Sequence, residues 1–220
     1  MSDRLRDRVC LVTGSTGIAA ASARRLAMEG ASVFIVSQAE AHARSLADAV
    51  AAIGGGVAWA AADLTTERGV DASVAAAVER FERIDGLFAV AGGSGRPHGD
   101  GPVHELTAEG WDRTLEINLR SQALTCRAVV RQMLAQAPNR SGTRGSILLM
   151  GSVTATDPAP EFFATHAYAA AKGATIALMT TMAAAYATQG IRVNCVAPSD
   201  RKSTRLNSSH IQKSRMPSSA

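Results

Sequence analysis

Residues 9–19 read VCLVTGSTGIA, five apolar or β-branched residues followed at once by a turn with two glycines. The first five predict a buried strand, and the alanine-rich, amphipathic pattern that continues to Gly30 predicts a helix after the turn. Glycine lets the backbone approach a phosphate closely, and the first turn of a helix offers unpaired N–H groups at the positive end of its dipole. Any tight strand-to-helix turn has a similar composition, so its position in the chain matters. We predict that a phosphate binds the turn residues Gly14, Ser15, Thr16, Gly17 and Ile18.

The same alternation of strand and helix continues along the chain. Apolar, β-branched runs lie at residues 9–13, 32–36, 57–62, 86–90, 146–150 and 192–197, with longer alanine-rich helical patterns between them. Strict alternation implies crossover connections, a parallel sheet and helices on both faces. We therefore predict an α/β fold, a doubly wound parallel sheet of the Rossmann-like type, in a single domain over residues 1–199. In such sheets ligands bind beyond the carboxyl ends of the strands.

Residues 200–220 differ abruptly in composition from the rest of the chain. They contain five basic residues, six serines and no apolar periodicity. Back-translated, residues 200–210 resemble a common short-read sequencing adapter, and residues 214–220 fit its continuation. We interpret residues 200–220 as a non-native, disordered tail and exclude them from fold reasoning. The remaining chain has 18 basic and 18 acidic residues, so its charge gives no reason to expect a nucleic acid partner.

The three cysteines, Cys10, Cys126 and Cys195, are widely separated and have no metal-ligand spacing. We predict buried free thiols, no metal site, and a reducing, cytoplasmic environment. The N-terminus lacks an apolar segment of the signal-peptide type, and no run approaches the roughly eighteen apolar residues that cross a bilayer. The sequence therefore predicts no membrane partner.

The second and third predicted strands end in residues suited to contact a nucleotide. The second ends at Ser37 and Gln38, where an acidic residue would bind both hydroxyls of an adenosine ribose. Without that carboxylate nothing repels a 2′-phosphate, which favours NADP slightly, but no arginine is there to attract one. The form of the cofactor, NAD or NADP, stays open. The third strand is followed by Asp63 and Leu64, and Asp63 either accepts a hydrogen bond from an adenine amine or acts as a helix N-cap before Thr65.

Lys172 is the only lysine among residues 1–199, which contain seventeen arginines, and it follows Tyr168 by four positions. On a helix that spacing places both side chains on one face. A nearby cation favours the phenolate form of tyrosine and moves its pKa from about 10 toward the working pH, which suits proton transfer. Lysine provides a compact point charge where the planar guanidinium of arginine would fit poorly. The alternative is a solvent-facing lysine beside a core tyrosine.

Further residues extend this pattern along the chain. In order and at suitable intervals stand the turn at residues 13–19, Asp63, Ala91-Gly92-Gly93, Asn118, Ser152, Tyr168 and Lys172. In this combination the chain resembles the short-chain dehydrogenases/reductases, from about residue 6 to residue 199. The resemblance implies an NAD(P)-dependent oxidoreductase that interconverts an alcohol and a ketone or aldehyde by hydride transfer. It also implies a small-molecule substrate and a homo-oligomer, a dimer or tetramer, formed through the helices that contain Asn118 and Tyr168.

The same resemblance assigns roles to four catalytic residues, Asn118, Ser152, Tyr168 and Lys172. Tyr168 is then the general acid or base, and Ser152 polarises the substrate carbonyl. Lys172 holds the nicotinamide ribose and lowers the pKa of Tyr168. Asn118, in a helix predicted over residues 111–136, anchors a water in a proton relay, and a structural role inside the helix is the alternative. The implied cofactor site adds Ala91, Gly92, Tyr168, Lys172 and Pro198 to the residues named above.

The chain departs from the family pattern in four places. The interval from Gly14 to Gly17 is one residue shorter than usual, and residues 89–92, which read AVAG, lack the side chains that brace this strand by hydrogen bonds. The interval from Ser152 to Tyr168 is longer than usual and predicts an apolar wall beside the substrate. The family's last strand and substrate lid are missing, which leaves the sixth strand as an exposed apolar edge.

The missing segments lead us to expect that the chain as written is insoluble or inactive, while the intact gene product is active. Two other functions stay open. One is an epimerase or dehydratase of the same family type that acts on a nucleotide-linked substrate. The other is a non-catalytic nicotinamide-nucleotide-binding protein.

Overall fold

Six parallel strands form the centre of the molecule. The structure is a computed structural model that describes residues 3–159 and 163–199. The strands are β1 Val9–Thr13, β2 Ser32–Ser37, β3 Val57–Ala61, β4 Gly86–Ala89, β5 Gly145–Met150 and β6 Ile191–Val196. They pair in the order β3-β2-β1-β4-β5-β6, all in parallel register. The direction of winding reverses between β1 and β4, and this switch point is where ligands bind in open α/β sheets.

Six helices cover the two faces of this sheet. They are α1 Gly17–Met28, α2 Glu40–Ala51, α3 Glu67–Phe81, α4 Ala108–Leu115, α5 Ser121–Ala135 and α6 His166–Tyr186. Helices α1 and α2 pack on one face of the sheet, and α3, α5 and α6 pack on the other. The described residues therefore form a single α/β domain, and the predicted doubly wound, Rossmann-like sheet is confirmed.

The two cores follow from the alternation of side chains along each strand. Val12 and Ile35 point to the face of α1 and α2, whereas their neighbours Leu11 and Phe34 point to the opposite face, and all four are almost fully buried. The buried face of α1 consists of alanines. Small side chains allow this helix to lie close to the sheet, which brings its N-terminus next to the carboxyl end of β1.

Two kinds of sequence prediction need correction. Each strand was predicted to within one residue at its ends, except the first, which was predicted at its observed bounds. The continuous helix predicted over residues 111–136 is wrong, because α4 and α5 are separated by a π-helical turn over Glu116–Arg120. Its centre is Asn118, whose amide nitrogen donates to the carbonyl of Thr114, 3.0 Å away, and also bonds outside the helix. Turns of this kind often lie at functional sites.

Several predictions concern the edges and the exposed surface. Strand β6 lies at one edge of the described sheet, and the side chains of Arg192 and Asn194 are exposed there. Cys10 and Cys126 are buried free thiols as predicted, whereas Cys195, on this edge strand, is only partly buried. The predicted tail at residues 200–220 lies outside the described residues. Within the described part of the chain, no helix has the length and apolar character needed to cross a membrane.

Candidate active site

A cleft of about 520 Å³ opens at the carboxyl ends of β1 to β4. Nine of the predicted cofactor residues line it, namely Gly14, Ser15, Thr16, Ser37, Gln38, Asp63, Leu64, Ala91 and Gly92. The other five, Gly17, Ile18, Tyr168, Lys172 and Pro198, do not line this cleft. The volume is within the usual range of a small-molecule site, about 300–1,000 Å³.

The turn after β1 has the geometry that a phosphate requires. Gly14 has φ +96°, and a Cβ there would lie 3.2 Å from Cβ of Ala19 and 3.8 Å from the backbone nitrogen of Ala91. Thr16 is the N-cap of α1, and its side chain makes no capping hydrogen bond with the described residues. The first N–H groups of α1 are therefore left for a ligand at the positive end of the helix dipole. The residues present fit the diphosphate of a nicotinamide nucleotide.

The end of β2 forms the next part of the cleft. The hydroxyl oxygens of Ser15 and Ser37 are 2.8 Å apart, which ties the phosphate turn to the end of β2. Gln38 and His42 line the cleft beside them. His42 was missed by the sequence analysis, because it lies in the first turn of α2 and only the fold places it here.

The structure shows that Asp63 is not the N-cap of α3. Its carboxylate accepts hydrogen bonds from the backbone N–H and the hydroxyl of Thr65, at 2.9 and 2.7 Å, and these bonds lower its pKa. The N-cap of α3 is instead Thr66, whose hydroxyl oxygen accepts from the N–H of Gly69 at 3.1 Å. The N-cap alternative for Asp63 is therefore wrong, because Asp63 stabilises the turn that precedes the cap.

The segment after β4 is braced by side chains from other elements. The hydroxyl oxygen of Thr13 accepts from the N–H groups of Val90 and Ala91, at 2.9 and 3.0 Å. The buried amide of Asn118 pairs with both backbone groups of Gly93, at 3.1 and 2.9 Å. The expectation that this strand end lacks such bracing is therefore wrong. The amide of Asn118 therefore holds the backbone of Gly93 at the floor of the cleft, and its role in a proton relay stays a prediction.

Ser152 lies two residues after the end of β5 and is buried. Its oxygen accepts from the N–H and the hydroxyl of Thr154, at 3.2 and 2.9 Å. Because a serine oxygen has two lone pairs, these two bonds leave its own O–H to donate elsewhere. The Ser152 hydroxyl also lowers the pKa of Tyr168, so the two side chains lie close together.

Lys172 is buried beside Tyr168 on α6. The lysine is 2% exposed, and Nζ donates to the carbonyl of Met150 at 2.9 Å. Nζ is also 5.5 Å from the centre of the Tyr168 ring. The alternative of a solvent-facing lysine is therefore wrong. The structure thus brings Ser152, Tyr168 and Lys172 into one cluster at the end of β5.

Burial has the largest effect on the pKa values of Tyr168 and Lys172. It raises the pKa of Tyr168, an effect that the hydrogen bond with Ser152 offsets in part, and it lowers the pKa of Lys172 to about 8. The predicted lowering of the Tyr168 pKa by Lys172 stays a prediction. In this structure Nζ donates to the Met150 carbonyl, and burial is the largest cause of both shifts.

The chain matches the family model described as short chain dehydrogenase over residues 8–214. It belongs to the short-chain dehydrogenase family. The Arabidopsis thaliana protein named short-chain dehydrogenase reductase 5 is 35% identical over 196 residues, which are 89% of this chain and 71% of that protein. A-factor type gamma-butyrolactone 1'-reductase (1S-forming) from Streptomyces virginiae is 34% identical over 212 residues, 92% of this chain and 76% of that protein.

Solved structures agree with this assignment. The crystal structure of NAD+-bound xylitol dehydrogenase has a TM-score of 0.80 and 32% identity, and the alignment covers 89% of this chain and 71% of that one. Since the matching relatives are dehydrogenases and reductases, this short-chain dehydrogenase is an NAD(P)-dependent oxidoreductase. The family match extends past residue 199, the predicted end of the domain.

Asp100 is a residue of this dehydrogenase that the sequence analysis missed. Helix α6 has Thr165 as its N-cap, without a capping bond from its side chain among the described residues. Asp100 supplies the cap instead, because its two carboxylate oxygens accept from the N–H groups of Ala167 and Tyr168, each at 3.0 Å. The carboxylate is 5% exposed and complements the positive end of the helix dipole.

We expect Asp100→Ala to lower the free energy of unfolding by about 2 kcal/mol, because it leaves two buried N–H groups at the start of α6 without acceptors. Urea denaturation at neutral pH measures the change. Asp112→Ala on α4 is the matched control, since Asp112 is exposed. An equal, small effect in both variants would contradict the capping role.

Proposed function

We propose that this dehydrogenase interconverts an alcohol and a ketone or aldehyde, with Tyr168 as general acid or base. The observation that supports this most strongly is the cluster at the end of β5. There Ser152 lies close enough to Tyr168 to lower its pKa, and Nζ of the buried Lys172 is 5.5 Å from the centre of the same ring. A donor, a titratable hydroxyl and a cation in one place are the groups that a carbonyl needs when it gains a proton.

The cofactor is proposed to lie along the cleft between the phosphate turn and this cluster. Gly14, Ser15 and Thr16 would hold the diphosphate, Ser37 and Gln38 the adenosine ribose, and Asp63 and Leu64 the adenine. When bound, a nicotinamide supplies or accepts the hydride at its C4 atom. Lys172 would donate a hydrogen bond to the nicotinamide ribose, which its position on the inner face of α6 favours.

The residues of the cluster divide the remaining chemistry. In reduction, the Tyr168 hydroxyl gives its proton to the carbonyl oxygen as negative charge develops there, and the Ser152 hydroxyl donates a second hydrogen bond to that oxygen. Oxidation reverses both steps, so that Tyr168 accepts the proton of the alcohol. Because burial raises the pKa of Tyr168, the hydroxyl is protonated at neutral pH, which suits reduction. Asn118 is proposed to complete a proton relay.

A spectrophotometric assay tests the proposed activity. NADH and NADPH are each mixed with a panel of ketones and aldehydes, and loss of the reduced nucleotide is recorded. Turnover supports an oxidoreductase. Nucleotide binding without turnover on the whole panel, or a product isomerised or dehydrated without net redox change, would contradict it.

For the form of the cofactor, we propose NADP. The end of β2 supports this proposal, since Ser37, Gln38 and His42 bring no carboxylate to the position of the adenosine ribose. A carboxylate would repel a 2′-phosphate, whereas the Ser37 hydroxyl and the Gln38 amide can donate hydrogen bonds to one.

We expect Gln38→Asp to weaken NADPH binding by about tenfold, equivalent to about 1.4 kcal/mol, because it places like charges together. The affinity for NADH should stay the same or increase. Fluorescence titration of both nucleotides measures the change, with Gln38→Asn as the neutral control. NADPH binding that is the same in the Asp and Asn variants would contradict the NADP proposal.

We also propose a cytoplasmic homo-oligomer, a dimer or tetramer, that forms through α5 and α6. Helix α6 supports this, because its outer face carries small and apolar side chains, such as Ala177 and Ala184, that are exposed in a single chain. Sedimentation of the active protein tests it, and a monomer at assay concentration would contradict it.

A further inference from the structure

Gln122 is a buried amide one helical turn after Asn118, at the start of α5. Gln122 is only 1% exposed. Nε2 donates to the carbonyl of Asn118 at 2.9 Å and to the carbonyl of Met150 at 3.2 Å. Oε1 accepts from the N–H of Met150 at 3.2 Å. One side chain thus pairs with both backbone groups of Met150, as a neighbouring strand would.

Met150 has a strand partner on one side only, where it pairs with Val196 of β6. The pairing of β4 with β5 stops at Ala89 and Leu149, so β4 provides no partner for Met150 within the described sheet. Met150 is the residue whose carbonyl accepts from Nζ of Lys172. Two residues later the chain reaches Ser152. The position of the Met150 backbone therefore affects the positions of both Lys172 and Ser152.

We propose that Gln122 is a positioning residue of the active site, which acts by holding the backbone of Met150. Through this one residue it fixes the acceptor of Lys172 and the direction in which the chain enters Ser152. Through its third hydrogen bond it fixes the carbonyl of Asn118. The inference rests on the proposed function, because it assumes that these three residues serve the reaction.

Gln136, at the other end of α5, provides a matched control. Its Nε2 donates to the carbonyls of Ile84 and Arg144 at 2.8 and 2.9 Å, and its Oε1 accepts from the N–H of Ile84 at 3.1 Å. It is also buried, at 9% exposure. Gln136 thus makes the same set of three amide-to-backbone hydrogen bonds, but at the N-terminal ends of the strands, away from the cleft.

The test compares Gln122→Met with Gln136→Met in the active form of the protein. Methionine keeps the volume and removes the hydrogen bonds, so both variants are expected to lose similar thermal stability. Only Gln122→Met is expected to lower kcat, by about 10- to 100-fold, because small displacements of catalytic groups have effects of that size. NADPH binding should match the wild type in both. Similar kcat values in the two variants would overturn the proposal.

Hydrogen exchange of the nucleotide-free protein gives a second readout that does not depend on turnover. Gln122→Met should expose the amides around Met150 to faster exchange, and Gln136→Met those around Ile84. Unchanged exchange at Met150 would overturn the inference even where the proposed function holds. A wild-type protein without turnover would contradict the proposed function alone. If Gln122→Met does not fold, Gln122→Glu replaces it, because it keeps the acceptor for the Met150 N–H and removes both donors, and normal kcat in that variant overturns the proposal.

Discussion

Tyr168→Phe is expected to lower kcat for ketone reduction by about 10³-fold, since a positioned general acid contributes about 10² to 10⁴. The substitution removes one oxygen from a half-buried ring and leaves the packing of α6 in place. The phosphate turn, which holds the nucleotide, is untouched. Nucleotide affinity should therefore stay at the wild-type value while turnover falls, and steady-state kinetics together with fluorescence titration separate the two.

Tyr186→Phe is the control for this prediction. Tyr186 is the only other tyrosine of the chain and stands at the last residue of the same helix. It packs against the core and takes no part in the cluster at Ser152. We expect wild-type kcat from Tyr186→Phe. Turnover that survives in Tyr168→Phe, or that falls equally in both variants, would contradict the assignment of Tyr168.

Lys172→Met and Lys172→Arg are both expected to lose about 10²-fold or more in kcat/KM, since each removes a positioned group at the reacting centre. The arginine variant keeps the charge, so charge alone would predict a smaller loss. Lys172 is 2% exposed and Nζ donates to the Met150 carbonyl, and a planar fork with five donors fits poorly in so confined a position. Activity in Lys172→Arg close to the wild type would contradict this account.

Lys172→Met is expected to increase the stability of the protein, by an amount that depends on pH. Burial lowers the pKa of Lys172 from 10.5 to about 8. Between these values the unfolded chain holds a proton that the folded chain has released, so stability of the wild type rises with pH in this window. Lys172→Met lacks this group. Its stability advantage should be largest below pH about 8 and shrink as pH rises toward 10.5.

Urea denaturation of both proteins at a series of pH values measures this difference. Burial raises the pKa of Cys10 and Cys126 to about 12, which acts on stability in the opposite direction at alkaline pH. Both proteins contain these thiols, so their contribution cancels in the comparison. A difference in stability that does not change with pH would contradict the buried, charged lysine.

Most of the fold could be predicted from the sequence because the patterns that determine its strands and helices are local. Continuous apolar, β-branched runs bounded by turns, with helical patterns between them, determine a doubly wound sheet, and the first run was predicted at the bounds of β1. The π-helical turn at Asn118 could not be predicted. At its centre, Asn118 makes a pair of hydrogen bonds to Gly93, which is 25 residues away in sequence.

The site was predictable where one motif carries its own geometry, as the phosphate turn does. It was not predictable where the partner is distant in sequence. Asp100 caps a helix that begins 66 residues later, at His166, and Gln122 pairs with Met150, 28 residues away. The sequence contains one signal for Gln122, because it is a polar residue in an apolar pattern and stands one helical turn from Asn118.

Transfer of deuterium from NADPH labelled at C4 to a ketone, followed by mass spectrometry of the alcohol, tests the central claim most directly. The wild-type active protein is predicted to place one deuterium on the carbinol carbon, and Tyr168→Phe to form almost no labelled alcohol while it binds the nucleotide normally. Equal labelling by the two proteins would contradict a mechanism in which Tyr168 moves the proton.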